Sequence, residues 1–385
     1  MKHHLLPFLA LSLLSLAACG QAQVRPIPPP TTADTLPTES EAQLMEDIGE
    51  ILMAGFRGTS VNEQSTIIRD IQQYHLGNVI LFEYDAPSGT RHRNVSSPEQ
   101  IQRLCHDLQR AANGQLLIGI DQEGGNVARM RVRDGFPSTK TAKASAQQGL
   151  DSVHRNAQIV ARELAEAGIN LNFAPCVDVD INPNCPVIGR MERSFSSNPT
   201  LVSECAKIWI GTQRSQHIVS CLKHFPGHGS ASGDTHAGLV DVTNSWQQTE
   251  LDPYRQLIAS GDIEMVMVAH VINRKLGDNL PASLSPKVVK ELLRSEMGFD
   301  GVIVTDDLAM GAITRQYGFE EALRMALVAG CDMLCISNNG GYYDPNMVPR
   351  AVKAILHYVQ QGELSAADIH TSAERIRKLK QQRTK

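Results

Sequence analysis

From residue 41 onward, eight short apolar runs alternate with longer helix-patterned segments, and this alternation constrains the fold more than any other feature of the chain. The runs cover residues 51–56, 78–82, 116–120, 171–174, 218–222, 265–269, 301–305 and 333–336. Helical patterns lie between them over residues 98–112, 151–167, 200–215, 285–297 and 320–329. Near-continuous apolar strands are buried on both faces, as parallel strands covered by crossover helices are. Gly168, Gly298 and Gly330 end helical patterns just before the next run, where a left-handed residue closes a helix. Eight such repeats over about 340 residues predict a (β/α)8 TIM-type barrel forming a single catalytic domain, residues 41–385. A doubly wound open sheet is the competing architecture at this level.

Residues 1–18 have a different character. Lys2 and two histidines precede the apolar stretch 5–18, which at about 14 residues is shorter than the ~20 needed to span a bilayer. A charged start, a leucine-rich middle and small residues at the end read as a secretory signal. The ending Leu16-Ala17-Ala18-Cys19-Gly20 looks like a bacterial lipobox, in which Cys19 is lipidated and becomes the first mature residue. Gly20, not Asp, follows the cysteine. In a Gram-negative host this resembles sorting to the outer membrane with the domain facing the periplasm, and otherwise to the exterior of the cell membrane. Residues 19–40 carry Pro26, Pro28, Pro29, Pro30 and Pro37, which block helix and ladder bonding and predict an extended tether.

The charge balance narrows the partners. Lys+Arg number 36 against Asp+Glu 41, a net charge of -5, so no basic excess points to nucleic acid. The expected partner is a small or polymeric substrate met by a monomer. Eight cysteines in an oxidising compartment raise the question of disulfides, but removing Cys19 leaves an odd number. Cys331 and Cys335, four apart on a strand, would lie roughly 13 Å from each other, too far for a bridge. A Cys176–Cys185 bridge stays open, and the others sit in apolar runs as buried thiols.

In a barrel of this kind the chemistry sits at the C-terminal ends of the strands. There the third run leads into Asp121-Gln-Glu-Gly-Gly125, the fifth into Lys223-His224, the sixth into His270 and the seventh into Asp306-Asp307. The most specific stretch is Lys223-His-Phe-Pro-Gly-His-Gly229 with Asp234-Thr-His236 after it. Its Gly and Pro content makes a shaped loop. Asp234 beside His236 would orient an imidazole and favour its protonated form, which suits an acid/base near neutral pH. Metal binding is the rival reading, since His224-x3-His228 has ligand-like spacing. Pro226 and Gly227 argue against the helix that would put both rings on one face. Adjacent strand residues point oppositely, so one aspartate of the 306–307 pair faces the mouth. A carboxylate there with an acid/base on the fifth loop suggests double displacement at a sugar carbon.

These residues resemble the β-N-acetylglucosaminidase branch of glycoside hydrolase family 3. The likeness extends through Ile118-Gly-Ile-Asp-Gln-Glu-Gly-Gly125, Asn172-Phe-Ala-Pro175, Pro186-Val-Ile-Gly189 and Thr305-Asp-Asp-Leu308, and covers roughly residues 41–380. The resemblance implies a (β/α)8-type barrel with Asp306 as nucleophile and Asp234 with His236 as a loop dyad in which the histidine is the acid/base. It implies sugar contacts from Lys223, His224 and Asp121, with Arg129 and Arg193 near the pocket. Arg190-Met-Glu192 lengthens the approach to Arg193 relative to compact members. The implied activity is a retaining exo-β-N-acetylglucosaminidase acting on peptidoglycan fragments, with no cofactor and no metal. A phosphorylase of the same branch and a non-catalytic wall-binding lipoprotein are the alternatives.

Overall fold

The computed structural model describes residues 39–235 and 238–383. Eight parallel strands stand at the eight apolar runs: β1 Leu52–Gly55, β2 Asn78–Leu81, β3 Leu117–Ile120, β4 Leu171–Asn172, β5 Val219–Phe225, β6 Met265–Val268, β7 Val302–Thr305 and β8 Leu334–Ile336. Each pairs with the next in sequence order, and β1 pairs with β8. A parallel bridge from Val304 to Met333 closes the remaining gap between β7 and β8. The sheet is therefore a barrel and not an open doubly wound sheet.

Register follows burial. Ala54 lies beside Val79 and Ile336, Gly119 beside Ile80 and Leu171, and Val266 beside Leu222 and Ile303. Strands β1 to β8 are buried along their whole length, which is why they read as continuous apolar runs and not as alternation. Crossover helices cover the outer face. The helix Pro98–Ala111 starts where Ser97 accepts a bond from Gln100 N with proline in its first turn, and Pro199–Arg214 starts the same way behind Asn198. Gly168 and Gly330 take left-handed conformations at φ 77° and 101° and end their helices as expected. Residues 287–296, expected as an ordinary helix, form a wider π-helix.

Two boundaries differ from expectation. The tether was expected through residue 40, yet a helix runs Glu39–Ile51 and packs against the C-terminal helix Ala366–Arg383. Asp47 is fixed there by Arg377 at 2.7 Å and His370 at 2.8 Å. Strand β5 also continues three residues past its apolar run, carrying Lys223 and His224 inside the strand instead of after it. The polar pair interrupts the hydrophobic signal and hides the strand's end. The seven described cysteines are all buried free thiols, so the Cys176–Cys185 bridge does not form. Cys176 Sγ instead donates to Asp178 at 3.3 Å and Cys185 Sγ to the His228 carbonyl at 3.5 Å. Cys19 and the lipobox lie outside the described residues. No helix among the described residues is long and apolar enough to cross a membrane.

Candidate active site

The site is built around a buried lysine. Lys223 Nζ, on β5, donates to Asp121 Oδ1 at 2.6 Å and sits 2.7 Å from Glu123 Oε1. Arg129 Nη2 holds the other oxygen of Asp121 at 3.0 Å, and Arg193 grips Glu123 with both Nε and Nη2 at 2.9 and 2.7 Å. Two carboxylates from the β3 end thus share three cations. Burial pushes both acids up, but Lys223 and Arg129 more than offset it for Asp121, which stays well below the usual range. Arg193 and Lys223 likewise hold Glu123 down at about 2. The two carboxylates in turn raise Lys223, against the effect of burial.

Gln122 between the acids folds the loop that presents them. Its side-chain oxygen accepts from Arg129 N and Met130 N at 2.8 and 3.1 Å, and its amide donates to the Met130 carbonyl at 3.1 Å. That places the Arg129 side chain back over Asp121. The extra residues before Arg193 are anchored: Thr141 Oγ1 donates to Glu192 at 2.9 Å and Asn126 donates to the Met191 carbonyl at 3.2 Å. Arg193 therefore reaches the site despite the longer loop.

A second group adjoins the first through His224. Arg193 Nη2 donates to His224 Nε2 at 3.2 Å, while His224 Nδ1 donates to Asp178 Oδ2 at 2.6 Å. Asp178 also takes His228 N at 2.7 Å and His224 N at 3.3 Å, so one fully buried carboxylate ties the 176–180 segment to the start of the β5 loop. Burial raises Asp178, but His224 and its hydrogen bonds outweigh that and keep it ionised. Burial drops His228 to about 4, leaving it neutral at pH 7. Neither Asp178 nor Glu123 was given a role from sequence. The signal was present in Val177-Asp178-Val179, an acid within an apolar run, where burial obliges a partner.

The loop that carries the expected dyad is clamped at both roots. Gly229 passes so close to the Val179 carbonyl that a Cβ would come within 1.8 Å of its oxygen, so no other residue fits. Asn182 donates to the Ala231 carbonyl at 3.0 Å and Glu250 accepts from Ser230 N at 3.3 Å. Burial pushes Glu250 up to about 7. On the far side, Val240–Asp241 pairs in parallel with Val271–Ile272 beyond β6. Asp234 lies between these anchors, half-buried; His236 lies outside the described residues.

At the end of β7 the two aspartates separate. Asp307 turns into the β8 loop, accepting from Ala309 N at 3.0 Å, Ser337 N at 2.8 Å and the Ser337 hydroxyl. Burial raises its pKa. Asp306 sits half-buried at the mouth, its backbone N on the Val268 carbonyl at 2.9 Å and its Oδ1 accepting from Asp307 N at 2.8 Å. Asp306 and Asp121 follow the C-terminal ends of β7 and β3, two strands of the one barrel. His270, suspected from its position after β6, bonds Ser283 at 2.7 Å and the Asp307 carbonyl at 3.0 Å and so braces the aspartate pair.

A parallel barrel that gathers ionised carboxylates, a buried lysine and two arginines at the strand C-termini, with an acid-bearing loop after β5, has the equipment of a glycoside hydrolase. Comparison makes this specific. Residues 43–379 match the glycosyl hydrolase family 3 N terminal domain, and the chain belongs to that family. It is 37% identical over 270 residues to a beta-hexosaminidase of Tolumonas auensis, covering 69% of this chain and 76% of that protein. Its fold is similar to a family 3 beta-N-acetylglucosaminidase structure from Paenibacillus sp., with TM-score 0.79, 34% identity, 88% of this chain and 62% of that one. The beta-N-acetylhexosaminidase structure from Beutenbergia cavernae is also similar, with TM-score 0.77, 26% identity, 88% of this chain and 98% of that one.

Proposed function

We propose that the protein is a retaining exo-β-N-acetylglucosaminidase that removes terminal β-linked GlcNAc from peptidoglycan fragments. Asp306 attacks the anomeric carbon while His236, supported by Asp234, gives a proton to the departing oxygen. Water then takes the sugar from Asp306, with His236 accepting its proton. Asp121, Lys223, His224, Arg129 and Arg193 hold the sugar's hydroxyls, and no step calls for a metal ion. Lipid on Cys19 anchors the barrel beside the cell wall.

The observation that carries this reading is the division of labour at β7. Asp307 is fixed in the β8 loop by Ala309 and Ser337, whereas Asp306 stands half-buried at the end of β7, on the same barrel mouth as the Asp121–Lys223 pair at the ends of β3 and β5. The names of the beta-hexosaminidase relatives support the sugar. The test is release of the aryl group from an aryl β-GlcNAc, run with and without inorganic phosphate. Free GlcNAc in both arms is expected. A sugar phosphate would make the enzyme a phosphorylase, and no release would leave a wall-binding lipoprotein.

A further inference from the structure

The Asp178 corner adds two side chains with no part in glycoside hydrolysis, Cys176 and Asp178, to the sugar-site residue His224. Cys176 Sγ, an Asp178 carboxylate oxygen and a His224 ring nitrogen all lie within 4.8 Å of one another, and all three residues are buried. Cys176 Sγ to Asp178 Oδ2 is 3.3 Å and His224 Nδ1 to the same oxygen 2.6 Å. We infer that Cys176, Asp178 and His224 form a site for a thiophilic divalent cation, zinc foremost, immediately behind the Arg193–His224 edge of the sugar site.

The geometry needs little adjustment. Tetrahedral zinc binds sulfur at ~2.3 Å and nitrogen or oxygen at ~2.0–2.2 Å, so neighbouring ligand atoms stand about 3.3–3.7 Å apart. The Cys176–Asp178 edge already has that length. The His224–Asp178 edge must open by less than about 1 Å. A fourth donor is close: His228 N bonds the same carboxylate, its ring stands edge-to-face on His224 with centroids 5.9 Å apart, and its buried Nδ1 has no hydrogen-bond partner among the described residues. A thiolate with imidazole and one carboxylate selects zinc, cadmium or cobalt over magnesium or calcium. Charge and protons balance. The dication is met by thiolate and carboxylate: the Cys176 thiol proton leaves to solvent, and the His224 proton moves from Nδ1 to Nε2, so the imidazole binds neutral.

Occupancy would take the Nδ1 that now holds His224 on Asp178 and shift the ring from Arg193, so the cation should inhibit. That consequence rests on His224 and Arg193 binding sugar; the binding itself does not. The experiment therefore has two readouts. Cobalt(II) titrated into the protein should give a thiolate-to-cobalt charge-transfer band at one equivalent, lost in Cys176→Val. Zinc that removes nine-tenths of aryl β-GlcNAc hydrolysis, reversibly by chelator, should leave Cys176→Val with most of its activity. Band without inhibition would uphold the site and count against the sugar role of His224. Should the variant not fold, X-ray absorption at the zinc edge of the unaltered protein serves instead, with one sulfur at ~2.3 Å among nitrogen and oxygen neighbours expected. A first shell without sulfur, an unchanged band in Cys176→Val, or no band up to millimolar cobalt would overturn the proposal.

Discussion

Replacing Lys223 with methionine removes one charge from the centre of the site while nearly keeping its volume. The ammonium is 2.6 Å from Asp121 and 2.7 Å from Glu123, and its side chain is 2% exposed. At an effective dielectric of about 20, a pair at about 2.7 Å attracts by roughly 6 kcal/mol before the cost of burying the charges. Removing one partner of a buried pair typically costs about 3–5 kcal/mol net. Asp121 keeps Arg129 and Glu123 keeps Arg193, so the low end, about 3 kcal/mol, is expected for Lys223→Met. With a urea slope of about 3 kcal/mol/M, the unfolding midpoint should fall by about 1 M. The pH dependence separates charge from packing. Both acids are depressed in the fold, so the stability they contribute is present above their unfolded values near 4 and lost as pH falls toward about 2. The gap between the two proteins should be widest between about pH 5 and 9 and shrink below about 4, as the carboxylates left without Lys223 take up protons. A cost under about 1 kcal/mol, or one constant from pH 3 to 8, would refute the electrostatic account of this cluster.

Three further perturbations have definite outcomes. Glu250, raised by burial to about 7, favours the fold while protonated, so its contribution is present below about 4.3 and lost as pH rises through 7. Glu250→Gln should gain up to about 3 kcal/mol on the unaltered protein between pH 5 and 8, read by thermal unfolding at each pH; parallel curves would show the carboxyl to be solvated. His236→Ala should slow cleavage of a natural disaccharide by about 10²–10⁴-fold yet slow glycosyl-enzyme formation from dinitrophenyl GlcNAc far less, with azide restoring turnover. Equal losses on both substrates would reduce His236 to a sugar contact. Cys19→Ala should abolish palmitate labelling and membrane fractionation, and retention of either would remove the lipobox reading.

The barrel was legible because each strand is buried on both faces, which leaves one unbroken apolar run per strand. The exception is instructive. Strand β5 runs on through Lys223 and His224, whose charges look like a loop in sequence and are tolerated only because Asp121, Glu123 and Asp178 neutralise them from other strands. Such compensation arises from residues 46–102 positions away and leaves no local pattern. For the same reason Glu123 and Asp178 escaped notice while their partners Arg193, Lys223 and His224 did not. The choice between Asp306 and Asp307 was also invisible locally. It depends on Ser337, thirty residues on, closing over one of the two.

In the proposed mechanism Asp306 bonds to the anomeric carbon. A 5-fluoro GlcNAc donor with a dinitrophenolate leaving group should accumulate as a glycosyl-enzyme, and peptide mapping by mass spectrometry should place the added sugar on Asp306. Adduct on Asp307, or turnover with inversion and no adduct, would contradict the account.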